Sequence, residues 1–291
     1  MLSAFRHAIK AFAPRTAVQV LLLAPLACTT PSILADTITI HSRDDATARY
    51  ALNIFEMAMN KAQAPYTLNI QKSKKSAITL RRMLEAGKTD VIWATTSQAL
   101  EDKFIAVRIP LYKGLMGYRT LLIQSGSQPI FDNINNLADL QKISLGQVHS
   151  WADTAILEKN GLNIVKVTKH KSLFNKLKKG DFDAAPRAIH ETIQEAQVYD
   201  GFAAEQRLLL HYPQPMYLFV SAHKPELAHQ LTYGLSKAIR DGSLDVLLYR
   251  ESNVKQAIQE LKRNKRTLIE LTNPDLPTKT PLGNQQLWLS L

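Results

Sequence analysis

The run over 146–191, GQVHSWADTAILEKNGLNIVKVTKHKSLFNKLKKGDFDAAPRAIHE, constrains the fold of this chain more than any other stretch. An apolar strand over 143–146 gives way to polar residues, then to a helix carrying Ala155, Ile156 and Leu157 that Asn160-Gly161 closes; a second strand follows over 164–167. Strand, loop, helix, strand is the unit of a parallel sheet, because a parallel neighbour needs a crossover that returns the chain to the starting edge. A further helix with Leu173, Phe174 and Leu177, stopped by Gly180, leads to a strand over 182–185 and then to Pro186-Arg187 at the start of another helix. Both polar loops thus fall at the carboxyl ends of strands, where open α/β sheets hold ligands.

The chain's 291 residues, 45% of them hydrophobic, suffice for one large domain or two ordinary ones and exclude a disordered chain. Net charge is +11, but the first 35 residues hold three of the 36 Lys and Arg and none of the 25 Asp and Glu, so 33 cations face 25 anions beyond them. That leader has the order of a secretory signal: Arg6, Lys10 and Arg15, an apolar run over 17–27, and Ile33-Leu34-Ala35 as a cleavage site before Asp36. The run is too short to span a bilayer comfortably. Export to the periplasm is expected, with residues 1–35 removed. The only cysteine, Cys28, lies in the leader, so the exported chain has no thiol and needs no disulfide. Pro25-Leu26-Ala27-Cys28 faintly resembles a lipoprotein processing site, and lipid anchoring at Cys28 is the alternative to a free chain.

A β-branched strand over 37–40 opens the expected mature chain and ends in His41-Ser42-Arg43-Asp44-Asp45, a polar loop with helix-start chemistry. The helix that follows repeats Ala51, Ile54, Phe55, Ala58, Met59 and Ala62 at three- and four-residue steps, so one face is buried. After a strand over 66–70, Lys72, Lys74 and Lys75 read as a solvated basic loop, and Ser76 caps a helix with Ile78, Met83 and Leu84 inward. The buried-type strand over 90–94 empties into Thr95-Thr96-Ser97; Trp93, Thr95 and Thr96 suit a ligand wall, and equally a core indole with threonines capping the next helix. The stretch over 108–114 leading to a strand over 117–123 reads as a crossing into a second lobe, and Tyr212-Pro213-Gln214-Pro215 as a stiff return. Helices past Pro225, a strand over 267–271 and a proline-rich tail whose Trp288 docks on the body complete the chain.

Several strings carry a family resemblance: Ile109-Pro110 with Gly114 and Gly117-Tyr118-Arg119; Gly146-Gln147 with Trp151, Asp153-Thr154 and Ile156-Leu157; Asp183 with Pro186-Arg187 and Glu191; Tyr233-Gly234-Leu235; Asp241-Gly242-Ser243; and Asn273-Pro274 with Leu276-Pro277. Together they resemble the periplasmic solute-binding proteins of type II, the family 3-like group related to amino-acid receptors of ABC transporters, over nearly the whole mature chain. The resemblance implies an α/β fold of two lobes, each a mainly parallel sheet flanked by helices, hinged on two crossing segments. Lobe one is expected over 36–118 plus 216–291, and lobe two over 119–215. It also implies a ligand held between the lobes. In amino-acid-binding relatives an arginine near the first crossing and helix-start amides hold the ligand carboxylate, and an acid after a late lobe-two strand takes the ammonium. Here Arg119 stands later than that usual arginine, and Pro186-Arg187 occupies the late position, so no ammonium acid is evident.

An arginine offers carboxylate or phosphate two parallel charge-assisted hydrogen bonds and never deprotonates. Arg187 and Arg119 are therefore the expected anion-binding residues, with Arg187 adding its charge to the positive end of a helix dipole. The competing reading pairs Arg187 with Glu191 four residues on, along one helix face. Trp151 offers a flat surface, Ser150 or Asp153 caps its helix, and Ser42 ends the first strand; these complete the expected ligand set. His190-Glu191-Thr192-Ile193-Gln194 has glutamine where a zinc-protease helix needs its second histidine. No nucleophile elbow, Walker loop or dinucleotide fingerprint occurs, so no enzyme, metal or cofactor is expected. Scattered basic clusters without interleaved aromatics argue against nucleic acid. The sequence thus predicts a monomeric exported receptor for a small anionic or zwitterionic solute, serving a membrane permease. A sensory module is the alternative, and an enzyme on the same scaffold a more distant one.

Overall fold

A computed structural model describes residues 36–263 and 265–289. The expected signal segment and Cys28 lie outside the described residues. The chain begins with β1 (Asp36–Ser42), α1 (Ala46–Ala62), β2 (Tyr66–Lys72), α2 (Ala77–Glu85), β3 (Val91–Thr95), α3 (Gln98–Glu101) and β4 (Ile105–Val107). After the first crossing come β5 (Tyr118–Gln124), α4 (Leu137–Leu140), β6 (Ser144–Val148), α5 (Ala152–Lys159), β7 (Asn163–Val167), α6 (His170–Lys179), β8 (Ala184–Ala188), α7 (Ile189–Val198), β9 (Phe202–Ala204) and β10 (Leu208–His211). The return adds β11 (Met216–Val220), α8 (Pro225–Arg240), α9 (Ser243–Arg250), α10 (Ser252–Arg263) and β12 (Thr267–Glu270).

The first core forms where the periodicity predicts it. Asp45 caps α1 by accepting from the Ala48 N–H at 2.9 Å, and the face carrying Tyr50, Ile54, Phe55 and Ala58 is buried. It meets Leu227, Leu231 and Leu235 of α8. The two backbones touch at Gly234, where an added Cβ would stand 1.8 Å from the Ala58 carbonyl oxygen. β1 and β2 pair in parallel from Asp36↔Tyr66 to Ser42↔Lys72, while β11 lies antiparallel between β3 and β4. Asp90 ties the two ribbons: its N–H donates to the Thr39 carbonyl at 2.8 Å and its carboxylate accepts from the Thr39 N–H at 2.7 Å.

The second sheet has the order β12-β10-β5-β8-β6-β7, with β9 on the far end of β5. β7, β6 and β8 run parallel, as the strand-helix-strand pattern requires, and β5 lies antiparallel to β8. Pro186 and Arg187 belong to β8 and not to a helix start, which corrects the sequence expectation: pairing with β5 runs unbroken from Ile123↔Ala184 to Arg119↔Ala188, and α7 begins only at Ile189. A proline gives a ladder no N–H; on the β6 side the pairing stops at Leu145↔Ala184, and the Gln147 side chain takes over by donating to the Pro186 carbonyl at 2.8 Å.

The two crossing segments run against each other. Tyr212 N–H donates to the Gly117 carbonyl at 3.2 Å, and any Cβ at Gly117 would fall 2.2 Å from the Tyr212 oxygen. Among the described residues the tail holds no strand or α-helix after β12, and it docks as expected: Trp288 packs on Gly114, its Nε1–H donates to the Pro281 carbonyl, and Leu289 N–H donates to the Lys113 carbonyl at 2.8 Å. α2 departs from expectation. Leu84 is buried, but Ile78 is 59% exposed. Among the described residues no helix is long and apolar enough to cross a membrane, and no cluster of metal-ligating side chains occurs.

Candidate functional site

A cavity of about 260 Å³ opens at the carboxyl ends of β1 and β3. The position follows from the topology, since side chains at strand ends are left uncovered where helices peel away. β1 contributes His41; the loop into α1 contributes Arg43 and Asp45, and the first turn of α1 Thr47; the loop into α2 and its first turns contribute Lys75, Leu80 and Arg81. Ile92, Trp93 and Ala94 of β3, Met116 of the first crossing, Met216 at the start of β11 and Glu191 of α7 also line it.

The charges around this cavity differ in how they are committed. Arg43 pairs with Asp45 at 3.2 Å, and Asp45 is further held by its capping bond to α1. Lys75 and Arg81 are exposed, and neither has a carboxylate within ion-pair distance among the described residues. His41 is held below its ordinary pKa by burial and by the nearby Lys75 charge, so it is neutral at pH 7. Glu191 uses Oε2 alone for its internal contacts, accepting from the Ala188 N–H at 3.2 Å and meeting the Arg187 guanidinium at 3.3 Å. Burial pushes its carboxyl up, but Arg187, His190 and Arg119 together outweigh burial and keep it ionised below the usual carboxylate range.

The sequence-nominated residues divide sharply. Trp93 lines the cavity. Thr95 is half-buried at the end of β3, and the Thr96 hydroxyl donates inward to Glu101 at 2.8 Å, where Arg108 also binds. Ser42 is buried with its hydroxyl donating to the Arg43 carbonyl, and Ser150 is exposed on the loop before α5. Arg119 is buried in β5 and donates to Asp153 at 2.7 Å and to Gln214 at 2.6 Å, while the Tyr212 hydroxyl donates to the same Asp153 oxygen at 2.6 Å. Asp153 caps nothing; it is the counter-ion of a network joining β5, α5 and the return crossing.

Arg187 is likewise committed. Its Nε and Nη2 donate to the Glu195 carboxylate at 2.8–3.1 Å, Glu191 stands beside it, and its guanidinium lies 4.5 Å from the Trp151 ring centroid. His170 completes this cluster against Glu195 at 3.3 Å. The helical pairing with Glu191 weighed from the sequence is thus present, but through an arginine on a strand, and Glu195 is its closer partner. Arg119, Arg187, Trp151, Ser150 and Asp153 lie outside the cavity lining. Sequence reading missed Arg43, Lys75, Arg81 and Glu191; the polar loop at the end of β1 and the lysine run after β2 were the available signals.

No family profile matches the chain, and no curated protein matches it in sequence. Solved structures do match. A probable amino-acid ABC transporter extracellular-binding protein of Bacillus subtilis superposes with a TM-score of 0.59 at 15% identity, covering 75% of this chain and 98% of that one. An amino-acid ABC transporter substrate-binding protein of Streptococcus pneumoniae bound to L-arginine gives 0.55 at 13% identity over 75% and 94%. The VFT2 domain of Bordetella pertussis BvgS gives 0.56 at 13% identity over 74% and 92%. At such identities the likeness is one of fold: this chain has the two-lobed α/β architecture of type II periplasmic solute-binding proteins.

Proposed function

We propose that the chain is an exported receptor that captures a small zwitterionic or anionic solute in the cavity between β1, β3 and α7 and delivers it to a membrane permease of the ABC type. One observation carries this reading: two uncommitted cations, Lys75 and Arg81, line the same cavity as an ionised acid, Glu191, and the Trp93 indole. A solute with a carboxylate and an ammonium group satisfies both ends. Glu191 has Oε1 free of internal hydrogen bonds and takes the part of the lobe-two acid that the sequence left unassigned. Arg187 and Arg119 act at one remove, keeping Glu191 charged.

Such a solute touches both lobes, over 36–118 plus 216–291 and over 119–215, and so stabilises the closed arrangement about the crossings in proportion to its preference for it. The likeness to the VFT2 domain supports a second reading, in which the same closure reports the solute to a sensor.

A thermal-shift panel of amino acids, organic acids and phosphorylated metabolites tests the proposal. A true ligand at 100 times its Kd stabilises the fold by about 2.7 kcal/mol. Apparent affinity should fall at least tenfold in Arg81→Ala and in Glu191→Gln, with the melting temperature of free Arg81→Ala near that of the parent. A ligand whose affinity survives both substitutions, or a panel with no response, overturns the assignment. Release of a chemically altered compound would instead favour an enzyme on this scaffold.

A further inference from the structure

The segment over 66–84 contains five basic residues, Lys72, Lys74, Lys75, Arg81 and Arg82, and no acid. All five are exposed, and none has a carboxylate within ion-pair distance among the described residues. Two large apolar side chains stand among them at the surface, Ile70 at 44% and Ile78 at 59% exposure. Three acids that adjoin the segment are paired elsewhere: Asp44 and Asp45, just past the Ser42↔Lys72 end of the β1–β2 pair, meet Arg49 and Arg43 at 3.2 Å, and Glu85 meets Lys103 at 2.9 Å.

Two ordinary explanations cover part of this. Lysines on the outer strand of a sheet discourage edge-to-edge pairing, which accounts for Lys72 on β2. A solvated helix face accounts for Arg81 and Arg82 on α2. Neither explains isoleucines left in water beside the charges, at a position of α2 whose spacing would have buried one of them. The cores of protein–protein contacts are depleted in lysine, so a protein partner fits this composition poorly. A polybasic surface with a few exposed apolar side chains is what an anionic bilayer attracts, the charges meeting headgroups and the apolar chains entering the interface.

We propose that the β2–α2 face docks the protein on an anionic phospholipid surface. Because Lys75 and Arg81 belong both to this face and to the cavity lining, docking turns the mouth of the cavity toward the bilayer. The proposal does not depend on the solute reading, and its test avoids the two shared residues.

The full chain is sedimented with vesicles of phosphatidylcholine containing phosphatidylglycerol, and with phosphatidylcholine alone, at low and high salt. Preference for the anionic vesicles that salt abolishes is expected. Each cation near such a leaflet contributes about fivefold in partitioning, so Lys72→Gln/Lys74→Gln/Arg82→Gln should lose roughly 100-fold. Ile70→Ser/Ile78→Ser should weaken the binding that remains at high salt. All variants share residues 1–35, so the comparison between them cancels what that segment contributes. Lys171→Gln/Lys178→Gln, in the basic helix α6, should leave partitioning unchanged. The proposal is overturned if the parent shows no preference for anionic vesicles, if the triple variant partitions as the parent does, or if the α6 variant is the one that loses binding. Thermal melts of the triple variant, expected to match the parent, separate loss of docking from loss of fold.

Discussion

Two groups of cations flank the same acid and have opposite fates. Arg119 and Arg187 lie buried in β5 and β8, each locked to a carboxylate of its own sheet and helices. Arg43, Lys75 and Arg81 lie exposed around the cavity, and the last two have no internal partner among the described residues. The difference is one of solvation. A guanidinium withdrawn from water is tolerated only if a partner comes with it, so a buried arginine arrives already paired and has little left for a solute. An ammonium or guanidinium at the surface keeps its water and surrenders it when a ligand anion takes its place. A residue type suited to an anion is therefore weak evidence for a site until its exposure is known.

The comparison breaks most easily at Arg119. Arg119→Met takes the guanidinium from the Gln214 side-chain oxygen and from Asp153, which is only 17% exposed and keeps the neutral Tyr212 hydroxyl as a donor but loses its counter-ion. Removing one partner of a buried pair costs about 3–5 kcal/mol, and urea denaturation should show a loss of that order. Arg119→Met/Asp153→Leu should recover most of it, because apolar replacement of both charges is often neutral. If the single variant is as stable as the parent yet fails to bind solute, Arg119 belongs with the cavity cations after all.

Arg187→Gln is the next test and should cost less. Glu195 keeps His170 as a partner, and Glu191 is partly open to water. The loss of charge-assisted bonds and of the contact with Trp151 should cost about 2–3 kcal/mol. The same change removes the largest influence holding the Glu191 carboxyl down. Solute affinity should then fall most at mildly acidic pH, where Glu191 begins to protonate, and titration calorimetry across pH checks this.

Much of the fold was legible because it rests on short-range rules. The α1 stripe and the helix-start loop before it, the Ser76 cap, the strand-helix-strand order over 143–167 and the docking of Trp288 all follow from periodicity and local chemistry. β8 was misread at its end because Pro-Arg after an apolar run has the composition of a helix start; only the neighbouring β5 and the Gln147 side chain show that the strand continues. The short strands β4 and β9 left no signal of their own and exist through pairing with distant segments. The site was the least legible part. Glu191 and Arg81 lie on helices 110 positions apart in sequence, and nothing local says that both face one cavity.

His190 gives the smallest effect and the sharpest sign. It is buried at the start of α7, stacked on Tyr112 with centroids 6.1 Å apart, and its Nδ1 has no hydrogen-bond partner. Burial lowers its pKa; Glu191 and Glu195 oppose the shift, while Arg119 and Arg187 reinforce it. Folded His190 therefore resists a proton that the unfolded chain accepts at about pH 6.5. The unfolded state then binds more protons, so the stability this histidine contributes is present above about pH 6.5 and drains away as the pH falls toward its folded value. The carboxylates of Glu191 and Glu195, held low in the fold, keep their contribution until the pH drops through and below the ordinary carboxylate range, about pH 4.3. Two windows of acid loss should thus be separable in melting temperature against pH. His190→Phe should flatten the upper one and leave the lower one standing; an unchanged slope between pH 7 and pH 5 would assign the upper window to another group, with His41, also held low, as the next to replace.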